Sequence, residues 1–536
     1  MSRWFTISLF ACLFLSSSVL TAQEVTYCEP YSDRFTLREE MLGKVGGYYW
    51  VSMITRKKVL RHAADPAAEV ADERQFVVYD NRMKPVNLIG NFSCPGDPLK
   101  EYMIAGEDHF DQLFLSGNGR KEVRVLLQRY EPDGQPSGPG RAVGRFPFGE
   151  PGGSFLLVRS EDRSRMLLVG FEFLPDGAPR MHTLLYDADW RLLSSTVYKH
   201  PSLTQPMIQD DEIGYPLEDF DNGPVKLANN GEWLMLSPSR TNKNYLLFHF
   251  NAADTAVACR EILLPAIAGT EDISLSIDNL QGGAVAGVLS DFHYTTLKNI
   301  QVVHYSMALR TFDFDTSYRL TTLGGGKIRN DNMVKENFKA VPGRGFLLLK
   351  EYGRPFGDDV TETAFDDGWD PAALFADNNI PDPASGPSAS RIKVPVARYG
   401  YARYPVPVNV QWHDRGDLSL YYFPAGREDS CWSGMISQEQ VTELNSPNLS
   451  YMIVPVRDKL YCLYNSFVHA DNLYASTTVL NPKGQLITDQ GILFWGLKNA
   501  LDFQRARQVA PDQVVIPYEH FGKPGFAVVQ FTDQVR

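Results

Sequence analysis

Little in this chain suits a helical body, a bilayer span or a tightly cross-linked framework. Its 536 residues include six cysteines, ten histidines and one long apolar run. That run, Trp4 to Leu15, follows Arg3 and leads into the small residues before Gln23, the order of charge, apolar core and cleavage site found in a secretory leader. Residues 1–22 are therefore expected to be removed as a signal peptide, and no other segment is apolar enough to span the roughly 20 residues a bilayer requires. Helix-start signals are few: Asp65 with Pro66, Asp370 with Pro371, and Ser437 with Gln440, each opening at most about two to three turns. Sequence motifs of common chemistries are missing as well. There is no His-Glu-x-x-His, Cys-x-x-Cys, Gly-x-Ser-x-Gly or phosphate loop. Gly324-Gly325-Gly326-Lys327 lacks the upstream glycine, and Ile328 stands where a hydroxyl would hold magnesium.

Positive charge is also scarce. The mature chain keeps 51 basic against 64 acidic residues, a net charge of −13, which argues against nucleic acid as a partner because phosphates demand basic surface. Five cysteines survive cleavage, enough for two disulfides and one thiol. Cys28 with Cys94 and Cys431 with Cys462 are the candidate pairs, and Cys259 is the expected lone thiol; the alternative is that all five are reduced and buried.

What the chain has in abundance is short apolar runs separated by turn formers. Eight such runs end on Tyr79, Tyr130, Tyr186, Phe250, Phe314, Phe423, Leu480 and Phe531, at intervals of 51 to 64 residues apart from one of 109. That spacing is close to one four-stranded unit each. Asp80, Asp187, Asn251 and Asn481 follow the run directly, where an Asx side chain accepts from the backbone two residues on. Met166 to Phe173, Met181 to Asp187 and Arg191 to Tyr198 read as consecutive strands. Hydrophobic content of 43% and aromatic content of 12% provide for stacked sheets. A chain of this length exceeds a single compact core, whereas radially repeated sheets add core in proportion to length.

On these strand-ending repeats the chain resembles the secreted bacterial β-propellers, and the resemblance covers essentially the whole mature chain. It implies an all-β fold of eight blades, or seven, forming one domain from residue 23 to 536. The Asp-box of sialidases, the Trp-Asp endings of WD40 repeats and the paired glycines of kelch are absent, so no catalytic residue transfers. The last unit has strands near Gln513 to Tyr518 and Phe526 to Phe531, then the sequence ends. Glu24 to Phe35 is the expected partner for its open edge, closing the ring with strands from both termini.

The long interval contains an insertion at about 352–412, acidic at Asp366 and Asp367 and aromatic at Tyr399, Tyr401, Tyr404, Trp412 and His413. Long loops in compact repeats are often functional. The aromatics are candidates for stacking on a sugar or gripping a peptide; the alternative is a loop that covers an edge. A second acidic loop contains Asp219 and Asp221, and with Asp366 and Asp367 these are the candidate calcium ligands, no other cofactor being evident. His413 with Asp414 and His469 with Asp471 are sequence neighbours, which seldom form a catalytic dyad. Two functions follow as expectations: an exported, periplasmic or extracellular, non-catalytic scaffold for a glycan, peptide or envelope protein, or a polysaccharide hydrolase or lyase with carboxylates at the central channel.

Overall fold

The computed structural model describes residues 23–27, 36–56, 72–90, 97–117, 122–148, 154–173, 179–203, 224–239, 244–251, 257–263, 273–279, 282–293, 296–319, 333–341, 345–358, 410–424, 432–436, 440–443, 451–457, 459–469, 472–481, 486–494, 501–503, 505–520 and 523–531. Their regular structure is β throughout, in eight antiparallel sheets. Sheet I contains Thr36–Val45, Tyr48–Arg56, Asp72–Tyr79 and Pro85–Gly90, and sheet II Asp97–Ala105, Phe110–Gly117, Val123–Tyr130 and Arg141–Phe146. Sheet III follows with Ser154–Arg159, Arg165–Phe173, Pro179–Asp187 and Leu192–Lys199, and sheet IV with Val225–Leu227, Trp233–Pro238, Tyr245–Phe250 and Val257–Ile262. Sheet V has Ile273–Asp278, Gly283–His293, Thr296–Ser306 and Thr311–Arg319; sheet VI has Met333–Val341, Gly345–Asp358, Val410–Pro424 and Trp432–Ile436, with Gln440–Glu443 added beside the third strand. Sheet VII has Tyr451–Val456, Lys459–His469, Asn472–Leu480 and Leu486–Phe494, and sheet VIII Arg507–Ala510, Gln513–His520 and Lys523–Phe531. The fourth strand of sheet VIII comes from the other end of the chain: Gln23–Tyr27 pairs with Lys523–Phe531, Gln23 opposite Phe531 and Tyr27 opposite Ala527.

Side-chain chemistry accounts for this layering. Second and third strands are near-continuous apolar runs, as strands covered on both faces must be; Phe110–Gly117 is buried over all but its last residue. Fourth strands alternate or open to solvent, and Val86, Leu88, Leu192, Leu193 and Val197 are exposed there. Neighbouring sheets share cores. Trp50 of sheet I stacks on Phe110 of sheet II with ring centres 4.1 Å apart, and Tyr198 of sheet III meets Phe250 of sheet IV edge-on at 4.9 Å. Each such pair adds about 0.5–1.5 kcal/mol to the burial of its area. One apolar cluster joins both chain ends, with Tyr49 and Val51 of sheet I, Leu463 of sheet VII and Val514, Ile516 and Val529 of sheet VIII, and Val25 packed against it. First strands lie next to first strands, as Thr36–Val45 does against both Asp97–Ala105 and Arg507–Ala510.

Two of the expected Asx turns, at Asp80 and Asp187, are present, while those at Asn251 and Asn481 run into residues outside the described ones. Asp80 Oδ1 accepts from the Arg82 and Lys84 amides at 2.8 and 2.9 Å while the Met83 amide donates to the Asp80 carbonyl. Asp187 repeats this with the Asp189 and Arg191 amides. Met83 and Trp190 take the left-handed residue of these turns, at φ 57° and 61°. This is the type I turn plus bulge of short hairpins.

Three expectations are corrected. Phe314 ends no third strand; it lies in the fourth strand of sheet V opposite His304, and the matching landmark is the buried Tyr305. The turn there uses Ser306, whose Oγ accepts from the Leu309 amide at 3.2 Å, so no Asx residue marks it. Gln440 opens a strand, not a helix, because Gln440–Glu443 pairs with Trp412–Arg415, and that ladder outweighs a local capping preference. The boundaries of the insertion narrow as well, since its first and last residues continue the ladder from Gly353 opposite Arg415 to Asp358 opposite Val410.

A chain beginning at residue 28 loses five strand residues and the Val25 contact. It is expected to lose about 3 kcal/mol, from hydrogen bonds worth about 0.5–1.5 kcal/mol each, and to self-associate through the exposed Lys523–Phe531 edge. Thermal unfolding and light scattering beside the 23–536 chain check this; equal Tm and monodispersity would contradict it.

Candidate functional site

Antiparallel four-stranded sheets with adjacent first strands place two kinds of connection on opposite faces. Links from first to second and from third to fourth strand emerge on one face, and links from second to third strand and between sheets on the other. The first kind runs to ten residues at most, as in 46–47, 106–109, 131–140 and 188–191. The second includes 57–71, 200–224, 320–332 and 359–409. All connections longer than ten residues therefore join strand ends on one face, beside two-residue links such as 294–295 and 470–471.

The opposite face is bonded across sheets. Gly46 N donates to Glu107 O, Trp50 Nε1 to Pro132 O at 3.1 Å, and Arg159 Nη1 to Ala105 O at 2.9 Å. Asp162 N donates to Asn229 Oδ1, Asn229 N to Asn279 Oδ1, and Asn279 Nδ2 to Glu161 Oε2, linking sheets III, IV and V. Its densest cluster surrounds Asp111, 2% exposed, which accepts from Arg129 Nε and Nη2 at 2.8 and 3.0 Å and from Trp190 Nε1 at 2.8 Å, with His109 Nε2 at 3.1 Å. Burial alone would raise the Asp111 pKa, but hydrogen bonds from His109 and Arg129 and their charges outweigh it and hold it low. For His109 burial pulls down, yet the Asp111 bond and charge and the Asp108 bond prevail and raise it. With every Asp111 oxygen engaged and no nucleophile in the cluster, this is an inter-sheet tie.

Acids on the innermost strands engage neighbouring polar groups. Glu40 of sheet I meets Arg507 of sheet VIII at 3.6 Å, and Glu101 accepts from Gln112. Lys44 Nζ and Tyr49 OH both donate to Gln513 Oε1, again joining sheets I and VIII. One buried acid and imidazole pair lies toward the loop side of sheet III: Glu172 Oε2 with His182 Nε2 at 3.0 Å, the imidazole edge-on to Phe148. No group of three or more His, Cys, Asp or Glu suited to a metal occurs among the described residues.

Asp366, Asp367, Tyr399, Tyr401 and Tyr404 lie between the second and third strands of sheet VI, and Asp219 and Asp221 between sheets III and IV, all outside the described residues. Trp412 and His413 are not loop residues but belong to the strand Val410–Pro424, opposite Phe356 and Pro355 on one side and Glu443 and Thr442 on the other. Cys28, Cys94 and Cys431 lie outside the described residues; Cys462 is fully buried in the third-to-second strand ladder of sheet VII, and Cys259 has a free, half-buried thiol.

No family model matches the chain, and no curated protein matches it either. Among solved structures, the WD40 domain of SCAP from fission yeast is 8% identical, with 96% of this chain and 100% of that chain covered and a TM-score of 0.37. The Dos1 propeller, 8% identical, covers 95% and 96% with a TM-score of 0.39, and the β-propeller domain of the Trilobed protease from Pyrococcus furiosus, 8% identical, covers 88% and 95% with 0.31. The sheet order speaks for itself: successive four-stranded meanders, inner strand to inner strand, with a shared core between neighbours. The fold is a β-propeller. No helix among the described residues of this propeller is long and apolar enough to cross a membrane.

The Asp111 tie escaped sequence reading because Asp111 and Trp190 are 79 residues apart. A local signal exists only at Trp190, a large aromatic at a left-handed position that glycine fills elsewhere. Trp190→Phe removes one donor to a buried carboxylate and is expected to cost about 1–3 kcal/mol. His109 adds a pH signature. Its raised pKa means its stabilisation is fully present below the ordinary value of 6.5 and lost as pH rises through the folded value, whereas that of Asp111 is present above 3.8 and lost as pH falls through its lowered value. The stability difference between wild type and His109→Gln should therefore shrink from pH 6 to pH 9 in denaturant titrations; a constant difference would contradict the assignment.

Proposed function

We propose that the protein is an exported eight-bladed propeller, closed by its N-terminal strand, that holds a glycan or protein ligand on its loop face without transforming it. The observation that carries this reading is the asymmetry of the faces: the connections of more than ten residues, 57–71, 200–224, 320–332, 359–409 and 495–506, all join strand ends on one side, and the hydrogen-bonded ties between sheets lie on the other. Eight described sheets, and the contacts of the first with the last, support the blade count and the closure. Scaffold function is favoured over hydrolysis because the described innermost acids Glu40 and Glu101 engage Arg507 and Gln112. Export rests on the leader-like order of Arg3, the apolar run Trp4 to Leu15 and the small residues before Gln23.

Two experiments test this. A glycan array probed with 23–536 and with a variant lacking 359–409 should lose its capture in the shortened protein while thermal stability is retained; unchanged capture would take the ligand away from this insertion. N-terminal sequencing of protein recovered after expression of the full chain in a Gram-negative host should begin at Gln23 in the periplasm or medium, and an intact leader in the cytoplasm would refute export.

A further inference from the structure

The outermost strand of each sheet has one side of its backbone outside the ladder, and such an edge accepts another strand unless charge, proline, glycine or irregular pairing blunts it. Seven of the eight outermost strands are blunted in this way. Pro85–Gly90 opens on proline and closes on glycine, Arg141–Phe146 carries Arg141, Gly144 and Arg145, Val257–Ile262 carries Arg260 and Glu261, and Thr311–Arg319 carries Asp313 and Asp315. Trp432–Ile436 is five residues long with Gly434 at its centre, Leu486–Phe494 carries Asp489 and three register shifts, and Gln23–Tyr27 carries Glu24. Leu192–Lys199 of sheet III is the exception.

From Leu192 to Tyr198 that strand contains no charge, proline or glycine. It pairs on one side with Pro179–Asp187, and among the described residues no backbone bond reaches its other side. Its side chains alternate. Tyr198 is buried against Phe250 of sheet IV, and Ser194 and Thr196 share its face, whereas Leu193, Ser195, Val197 and Lys199 form an exposed row on the other. Leu193 and Val197 are 47% and 42% exposed, a β-forming apolar pair open to a cross-strand neighbour. Both ends of the edge are basic. Arg191 precedes the strand, and exposed Lys199 closes it opposite Arg180. Of the nearby acids, Asp187 is committed to its turn amides and Asp189 lies between Arg129 and Arg191, at 3.9 and 4.0 Å.

We infer that Leu192–Lys199 is a docking edge for an extended segment of another protein, apolar at alternate positions and acidic at its ends, which adds a fifth strand to sheet III. The backbone of the segment completes the ladder, its apolar side chains cover Leu193 and Val197, and its carboxylates meet Arg191 and Lys199. Charge sets this occupant apart from a second copy of the chain. Antiparallel pairing of the strand with itself about its centre puts Leu192 opposite Lys199, so Lys199 of each copy meets Arg191 of the other, and like charges across strands oppose the pairing. The edge is on the outer rim of sheet III and is independent of the loop-face ligand.

Fluorescence polarisation of the labelled peptide Glu-Val-Thr-Val-Thr-Val-Thr-Glu with the 23–536 chain tests this. Saturable binding is expected, and it should disappear when the peptide is N-methylated throughout and weaken at least tenfold when its terminal residues are lysine. Val197→Lys, which puts a charge on the exposed row, should weaken binding at least tenfold with Tm unchanged, and Lys199→Glu should reverse the preference between the two peptides. The variant lacking 359–409 should bind as wild type does. Absence of binding to wild type, affinity of Val197→Lys within twofold, binding of the N-methylated peptide, equal affinity for the lysine-ended peptide, or loss in the shortened variant would each overturn the assignment. A dimer of the peptide-free protein in sedimentation, dissociated by Val197→Lys, would give the edge to a second copy instead.

Discussion

Face-to-face burial of one sheet against the next is the constraint on which this protein depends. A sheet of four strands cannot bury both faces by itself, so its second and third strands, apolar on both sides, demand neighbours. Trp50 on Phe110, Tyr198 on Phe250 and Tyr305 at the edge of His249 are successive solutions to that demand. At the chain ends it must be met by residues more than 400 positions apart, and it is: Lys44 and Tyr49 converge on Gln513, and Glu40 on Arg507.

This constraint divides the molecule. Turns on one face are tied to each other by Asp111, Asn229 and Asn279, which fixes the sheets in rotation about the centre. Connections on the other face are free to lengthen because the strand ends they join are already held. A rigid plate beneath variable loops is the general logic by which scaffolds hold ligands. The extension of sheet VI, where Gln440–Glu443 joins the ladder of Val410–Pro424, carries regular structure out toward the largest of those connections.

Much of this was legible in the sequence where local chemistry and tertiary need coincide. An aromatic ends the third strand because that position packs on the preceding sheet, and an Asx residue follows because the turn needs an acceptor; Tyr79 with Asp80 and Tyr186 with Asp187 meet both needs. Where the two needs part, reading fails. Ser306 replaces the Asx residue in sheet V, and the eye passes from Tyr305 to Phe314 and Asp315, which imitate the signal one strand late. Ser437 and Gln440 satisfy a local capping rule that pairing with Trp412–Arg415 overrides. The inter-sheet ties were illegible in principle, since Asp162 with Asn229 or Asp111 with Trp190 are neighbours only after the sheets stack.

The measurement that bears most directly on the radial stack is hydrogen exchange of the backbone amides in Gln23–Tyr27, compared with those of Lys523–Phe531. Pairing between the two predicts that the inward amides of the first strand exchange as slowly as those of the last and through the same opening event. Exchange of the Gln23–Tyr27 amides at the rate of an unstructured peptide, with Lys523–Phe531 still protected, would contradict it.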